Sequence, residues 1–195
     1  MSRLWWVRHG PTHARGMVGW SDLAADLSDA AALARLHARL PAGAVVVSSD
    51  LRRSRDTAAA LGRGIDAVLP ALREMHFGAW EGRRHDEISA EAPDLARAFW
   101  TEPGDVRPPG GESWNDLRAR VGSAVEGLVA AYPGRDIVAV AHFGVILTQV
   151  QRACAISAHA ALAQHIAPLS LTRLERMGPG PSGWRLLGVN EGGLP

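Results

Sequence analysis

The chain contains no lysine; its 21 basic residues are all arginine. That absence excludes a Walker-type phosphate loop, a Schiff-base lysine and a lysine general base. A single cysteine, Cys154, excludes an intrachain disulfide and a cysteine-rich zinc site. It falls in an apolar helical stretch, which predicts a small core residue. Charge of either sign is not in excess, and the formal net charge is +1. No strong field exists for nucleic acid or an anionic membrane. No run approaches membrane-spanning length, and the four-residue apolar run after Arg3 is too short for a signal-peptide core. These absences predict a cytoplasmic protein without nucleic-acid or membrane partners. No pair of the eight histidines carries the adjacent acid of a helical metal site, so neither metal nor cofactor is expected. Length of 195 residues and 47% apolar content suit one domain with a sizeable core.

Strand-like and helix-like segments alternate. Leu4–Val7 reads as a strand, and Ser28 as the cap of a helix carrying Leu33, Leu36 and Leu40, stopped by Pro41. Residues 44–47 read as a buried strand. Asp50 is placed to cap a helix running to about Leu61 and closed by Gly62 and Gly64. Residues 67–69 form a third strand. Residues 78–111 are rich in Gly, Pro and charge, and read as a cap-like insertion at about 80–110 with one short helix near 93–100. Ser113 starts the clearest helix. Trp114, Leu117, Val121, Val125 and Leu128 form its stripe, and Asp116 completes a capping box. A strand over 137–141, a helix from Phe143 to about Ala153, and two closing strands, 170–175 and 184–189, follow. Such alternation predicts an α/β fold of three layers, a mostly parallel sheet with helices on both faces.

Candidate chemistry sits where elements end. Arg8-His9-Gly10 follows the first strand, Arg53 opens the helix after the second, and His142 follows the strand over 137–141. Strand C-termini of a parallel sheet share an edge, where ligands bind and helix N-termini favour anions. Glu74 lies in a separate acidic segment. A phosphoryl group needs positioning and charge stabilisation. Arg8 and Arg53 offer planar donors, and His142 another. His9 can attack through one ring nitrogen while a carbonyl near Gly10 holds the other. Glu74 can protonate the leaving oxygen and then activate water. The arginines take the place of a metal. Singly, each residue has an ordinary reading: a loop histidine, a surface arginine, a solvated glutamate, a satisfied core histidine. Their order along the chain carries the argument.

Arg8-His9-Gly10-Pro11-Thr12, Gly19-Trp20-Ser21-Asp22, Ser48-Ser49-Asp50-Leu51-Arg52-Arg53-Ser54-Arg55, Leu72-Arg73-Glu74 through Gly82, Gly110-Gly111-Glu112-Ser113 and Ala141-His142-Phe143-Gly144 together resemble the motifs of the histidine phosphatase superfamily, also called phosphoglycerate mutase-like. The resemblance spans nearly the whole chain and is least constrained over 81–109. It implies that His9 is phosphorylated, that Arg8, Arg53 and His142 bind the phosphoryl group, and that Glu74 is the general acid. Thr12 and Gly19 fall where substrate phosphate is often contacted. Phe143 departs from the glycine common in relatives at that position and narrows the space beside His142.

Mutases of this family typically carry arginine directly after the acid and use a lysine. Here Met75 follows Glu74, and lysine is absent. The resemblance therefore implies a metal-independent phosphomonoesterase for a small phosphorylated metabolite, similar to α-ribazole phosphatases, acting as a monomer or homodimer. A phosphoglycerate mutase is one alternative, and a catalytically silent module that binds phosphorylated ligands or proteins is another. Trp80, Phe99 and Trp100 are placed either to meet an apolar leaving group or to pack the insertion on the sheet.

Overall fold

The computed structural model describes residues 1–178, 180 and 183–193. In chain order its elements are β1 (Arg3–Arg8), α1 (Ala30–Arg39), β2 (Val45–Ser48), α2 (Arg52–Ala60), β3 (Ala67–Val68), α3 (His85–Glu91), α4 (Pro93–Thr101), α5 (Trp114–Ala131), β4 (Asp136–Ala141), α6 (Phe143–Cys154), α7 (Ala158–Leu162), β5 (Leu171–Arg176) and β6 (Trp184–Glu191). The strands form one mixed sheet in the order β3-β2-β4-β1-β5-β6. The first four run parallel, while β5 and β6 are antiparallel additions on one edge.

Strand residues point alternately to opposite faces, and the sheet has a core on each. Leu4, Trp6, Val45, Val47, Ile137 and Ala139 pack with α5, α6 and the insertion. Val7, Val46, Val138 and Val140 pack with Leu33 and Leu36 of α1 and Ala58 of α2. Runs of β-branched residues buried on both sides are what parallel strands require. The α5 stripe from Trp114 to Leu128 is buried as its 3.6-residue spacing demands. Each such side chain contributes about 1.5–3 kcal/mol.

Several local expectations are corrected. Asp29, not Ser28, caps α1, accepting from Ala32 N at 2.8 Å. Asp50 does not cap α2; Arg73 Nε donates to its carboxylate at 2.7 Å, and Leu51 takes the cap position without a side-chain bond. Cys154 is exposed rather than core, because it falls in the last turn of α6, beyond the apolar face. The insertion holds two helices, α3 and α4, instead of one. The short α7 also lacks enough periodicity to be read from sequence. The turn between the closing strands lies partly outside the described residues.

The insertion is pinned at its base. Ala79 N donates to Pro109 O at 2.8 Å, and Glu112 N to His76 O at 2.8 Å. Gly78 has φ +55°, and a Cβ there would meet Pro109 O at 2.2 Å, so this junction accepts only glycine. Trp80 and Phe99 meet edge-on at 5.3 Å, both buried.

Candidate active site

Strand register builds the centre of the site. Arg8 pairs with Ala141, so the next residues, His9 and His142, emerge side by side. Their ring centroids lie 5.0 Å apart. His9 N donates to Ala141 O at 3.0 Å, which carries the pairing one residue beyond the strand.

Two hydrogen bonds fix the His9 tautomer. Nδ1 lies 2.6 Å from Gly10 O and must donate to it. Arg53 Nε donates to Nε2 at 3.2 Å, so Nε2 keeps its lone pair. Burial, assisted by the charges of Arg53 and Arg8, pushes the His9 pKa down to about 3. His9 is a neutral imidazole presenting one basic nitrogen. His142 is wholly buried behind it, and burial together with His9 and Arg53 holds it neutral as well. Ser49 Oγ lies 2.7 Å from His142 Nε2, while Nδ1 has no partner.

Arg53 is 1% exposed although it sits in the first turn of a helix. Its fork is fully directed: Nη1 donates to Ser21 O at 2.8 Å and Nη2 to Gly19 O at 2.6 Å. The loop carrying those carbonyls is itself organised by Glu81. That carboxylate accepts from Gly19 N at 3.1 Å, Trp20 N at 2.7 Å, Phe77 N at 3.2 Å and Ser21 Oγ at 2.7 Å. These bonds outweigh burial and hold its pKa below the usual range. Arg8 is bound to Ile166 O and lies 5.3 Å from the Phe143 ring centroid.

Glu74 is 7% exposed, not the solvated residue of its ordinary reading. Gly144 N, in the first turn of α6, donates to both carboxylate oxygens at 3.1 and 3.0 Å, and Met75 N donates at 2.9 Å. Its backbone is clamped too. Arg120 of α5 donates to Ala71 O, Arg73 O and Glu74 O at 3.0, 2.9 and 3.2 Å while paired with Glu112. Trp20 Nε1 donates to Glu74 O at 2.9 Å.

Arg8, His9, Thr12, Arg53, Glu74 and Phe143 line one cavity. Gly19 and His142 do not reach its wall: Gly19 acts through Arg53 and Glu81, and His142 through contact with His9. Sequence reasoning passed over Ser49, Glu81, Glu112 and Arg120. Glu81 and Ser49 lie inside quoted segments but offer no spacing signal, because their partners are far along the chain. Thr57 Oγ1, which accepts from Gly10 N at 3.0 Å, was likewise passed over. Among the described residues, no three His, Cys, Asp or Glu side chains are grouped to hold a metal ion, and no helix is long and apolar enough to cross a membrane.

The arrangement joins a neutral imidazole, two guanidinium groups and a positioned carboxyl around one cavity, groups that suit transfer of a phosphoryl group. The sequence profile of the histidine phosphatase superfamily (branch 1) matches residues 4–192. The chain is 40% identical over 162 residues to glucosyl-3-phosphoglycerate phosphatase of Mycobacterium tuberculosis, covering 74% of this chain and 71% of that one. It is 31% identical over 159 residues to adenosylcobalamin/alpha-ribazole phosphatase of Salmonella typhimurium, covering 77% and 78%. The solved structure of Bacillus stearothermophilus YhfR superposes with a TM-score of 0.86 at 29% identity, covering 100% of this chain and 98% of that one.

Proposed function

This chain belongs to the histidine phosphatase superfamily (branch 1), and from that premise we propose that it is a metal-independent phosphomonoesterase acting through a phosphohistidine at His9. The observation that carries the proposal is the His9 tautomer: Nδ1 is committed to Gly10 O, and Nε2 is the unprotonated nitrogen, accepting from Arg53 Nε.

In the first step His9 Nε2 attacks phosphorus. The P–N bond forms as the bond to the ester oxygen breaks, and Glu74 delivers a proton to that oxygen. Arg8 and Arg53 take the equatorial oxygens, Arg53 turning its donors from Nε2 to the phosphoryl group as it enters. His142, wholly buried and outside the cavity wall, backs His9 through ring contact. In the second step Glu74 removes a proton from water, the P–N bond breaks, and inorganic phosphate leaves with His9 neutral again. Thr12 lies on the cavity wall to contact substrate.

The substrate is a small phosphorylated metabolite, as the names of the M. tuberculosis and S. typhimurium relatives indicate for those proteins. Mutase chemistry is disfavoured by Met75 after Glu74 and by the absence of lysine. Trapping during turnover of an aryl phosphate is expected to yield an acid-labile, alkali-stable phosphoenzyme, and a chelator is expected to leave kcat unchanged. A His9→Ala variant that still hydrolyses the ester would overturn the mechanism. A wild-type chain that binds phosphate esters without turnover would establish the silent binder instead.

A further inference from the structure

Glu74 stands between two cavities of opposite character. One is the phosphoryl cavity, with Arg8, His9 and Arg53 in its wall. The second, a cavity of about 70 Å³ partly open to solvent, shares Glu74, Phe77 and Phe143 with the first. The rest of its wall is apolar and comes chiefly from the insertion, with Phe99, Trp100 and Val106 prominent and Leu162 of α7 added.

Two polar donors of the second cavity's wall are committed elsewhere. The Trp114 indole N–H is given to Gln151 Oε1 at 2.8 Å. The Gly144 N–H is given to Glu74. Neither arginine nor histidine lines the wall, and its one charged residue is Glu74. A leaving group carrying a carboxylate or second phosphate would enter an apolar wall without a cation to pair with, which desolvation opposes. An aromatic or branched hydrocarbon body would meet the edges and faces of Phe99, Trp100 and Phe143.

Position along the reaction coordinate decides what occupies this space. With phosphorus held at His9 and the ester oxygen receiving its proton from Glu74, the carbon skeleton on that oxygen must extend from Glu74 away from the arginines. The second cavity is where it goes.

Resting on the phosphatase reading above, we infer that the insertion selects phosphomonoesters of uncharged, apolar alcohols, aryl or branched-alkyl in body, over phosphoglycerate-type and other anionic esters. The Phe99 and Trp100 rings, in edge contact at 4.9 Å, form the platform for that body.

The test compares kcat/KM of the purified full chain for 2-phenylethyl phosphate, ethyl phosphate and 3-phosphoglycerate, all alkyl esters with similar leaving oxygens. The 2-phenylethyl ester is expected to exceed both others by at least about tenfold, since even single methylenes in an apolar pocket discriminate by roughly 10- to 200-fold. Val106→Arg, and independently Leu162→Arg, are expected to cut the ratio of 2-phenylethyl phosphate to 3-phosphoglycerate by at least about tenfold. Both positions are half-buried, and a ratio is insensitive to the folded fraction. Turnover with equal or reversed preference, or ratios unmoved by both variants, overturns this inference and leaves the phosphatase reading standing. No turnover of any ester, an aryl phosphate included, overturns both.

Discussion

A methyl group added at Gly144 would isolate the part played by the Glu74 carboxyl. The Cβ of Gly144→Ala would lie 2.5 Å from Glu74 Oε1 and 3.2 Å from Leu117 Cδ2. Ordinary non-bonded contact begins near roughly 3.5 Å, so the carboxyl must retreat by about 1 Å. It then forfeits its bonds from Gly144 N at 3.0 and 3.1 Å. A displacement of that size costs about 10²-fold in rate, within the ~10²–10⁴-fold that a general acid contributes. The assay is the rate of phosphoenzyme formation by rapid quench, which excludes the later water step. An alkyl phosphate, whose alkoxide must be protonated on departure, is expected to slow about 100-fold. A nitrophenyl phosphate, whose phenolate leaves unaided, is expected to slow less than about tenfold. Crowding of Leu117 lowers stability by about 1–3 kcal/mol, seen as a lower Tm. An unchanged alkyl rate would refute the positioning of Glu74, and equal losses on both esters would refute its role as acid.

Protonation links His9 to stability. Its pKa is about 3 folded and near 6.5 in an open chain, so between those values the unfolded chain binds a proton that the native one refuses. Urea midpoints are expected to fall as pH drops from 6.5 toward 3, and His9→Gln is expected to flatten that dependence. Glu81→Gln weakens the acceptor that arranges Gly19–Ser21 around Arg53; kcat/KM is expected to fall at least about tenfold, with weaker inhibition by vanadate. Ala155, exposed at the end of α6 with φ +52°, pays for a left-handed cap. Ala155→Gly is expected to raise stability by roughly 0.5–1 kcal/mol in urea unfolding, with unchanged kcat.

What could be read from the chain was local and periodic. The apolar run before Arg8, the Val45–Val47 run and the α5 stripe announce themselves because burial on one or both faces demands those spacings. Arg53 and His142 were legible because each stands where a strand hands over to a helix. The cap of α1 was misplaced by one residue because Ser28 and Asp29 are both competent acceptors, and tertiary placement chose between them. Asp50 was drawn away from α2 by Arg73, a partner 23 residues distant. Glu81 and Arg120 support the site chiefly through such distant partners, Gly19–Ser21 for one and residues 71–74 for the other, so no window of sequence reveals them. The insertion aromatics proved divided: Trp80 packs inward, whereas Phe99 and Trp100 also face the apolar cavity. Pattern alone does not resolve that split, because both fates use the same residue types.

The exposure of Cys154 gives the molecule a built-in ruler. It is the chain's sole thiol and ends the helix whose first residue, Phe143, lines the cavity beside Arg8 and His9. Eleven helical steps separate the two, roughly 17 Å along the axis. A dye or spin label attached there would need no background cysteines removed. It would sit on a rigid rod anchored at the site, far enough away to leave the chemistry untouched.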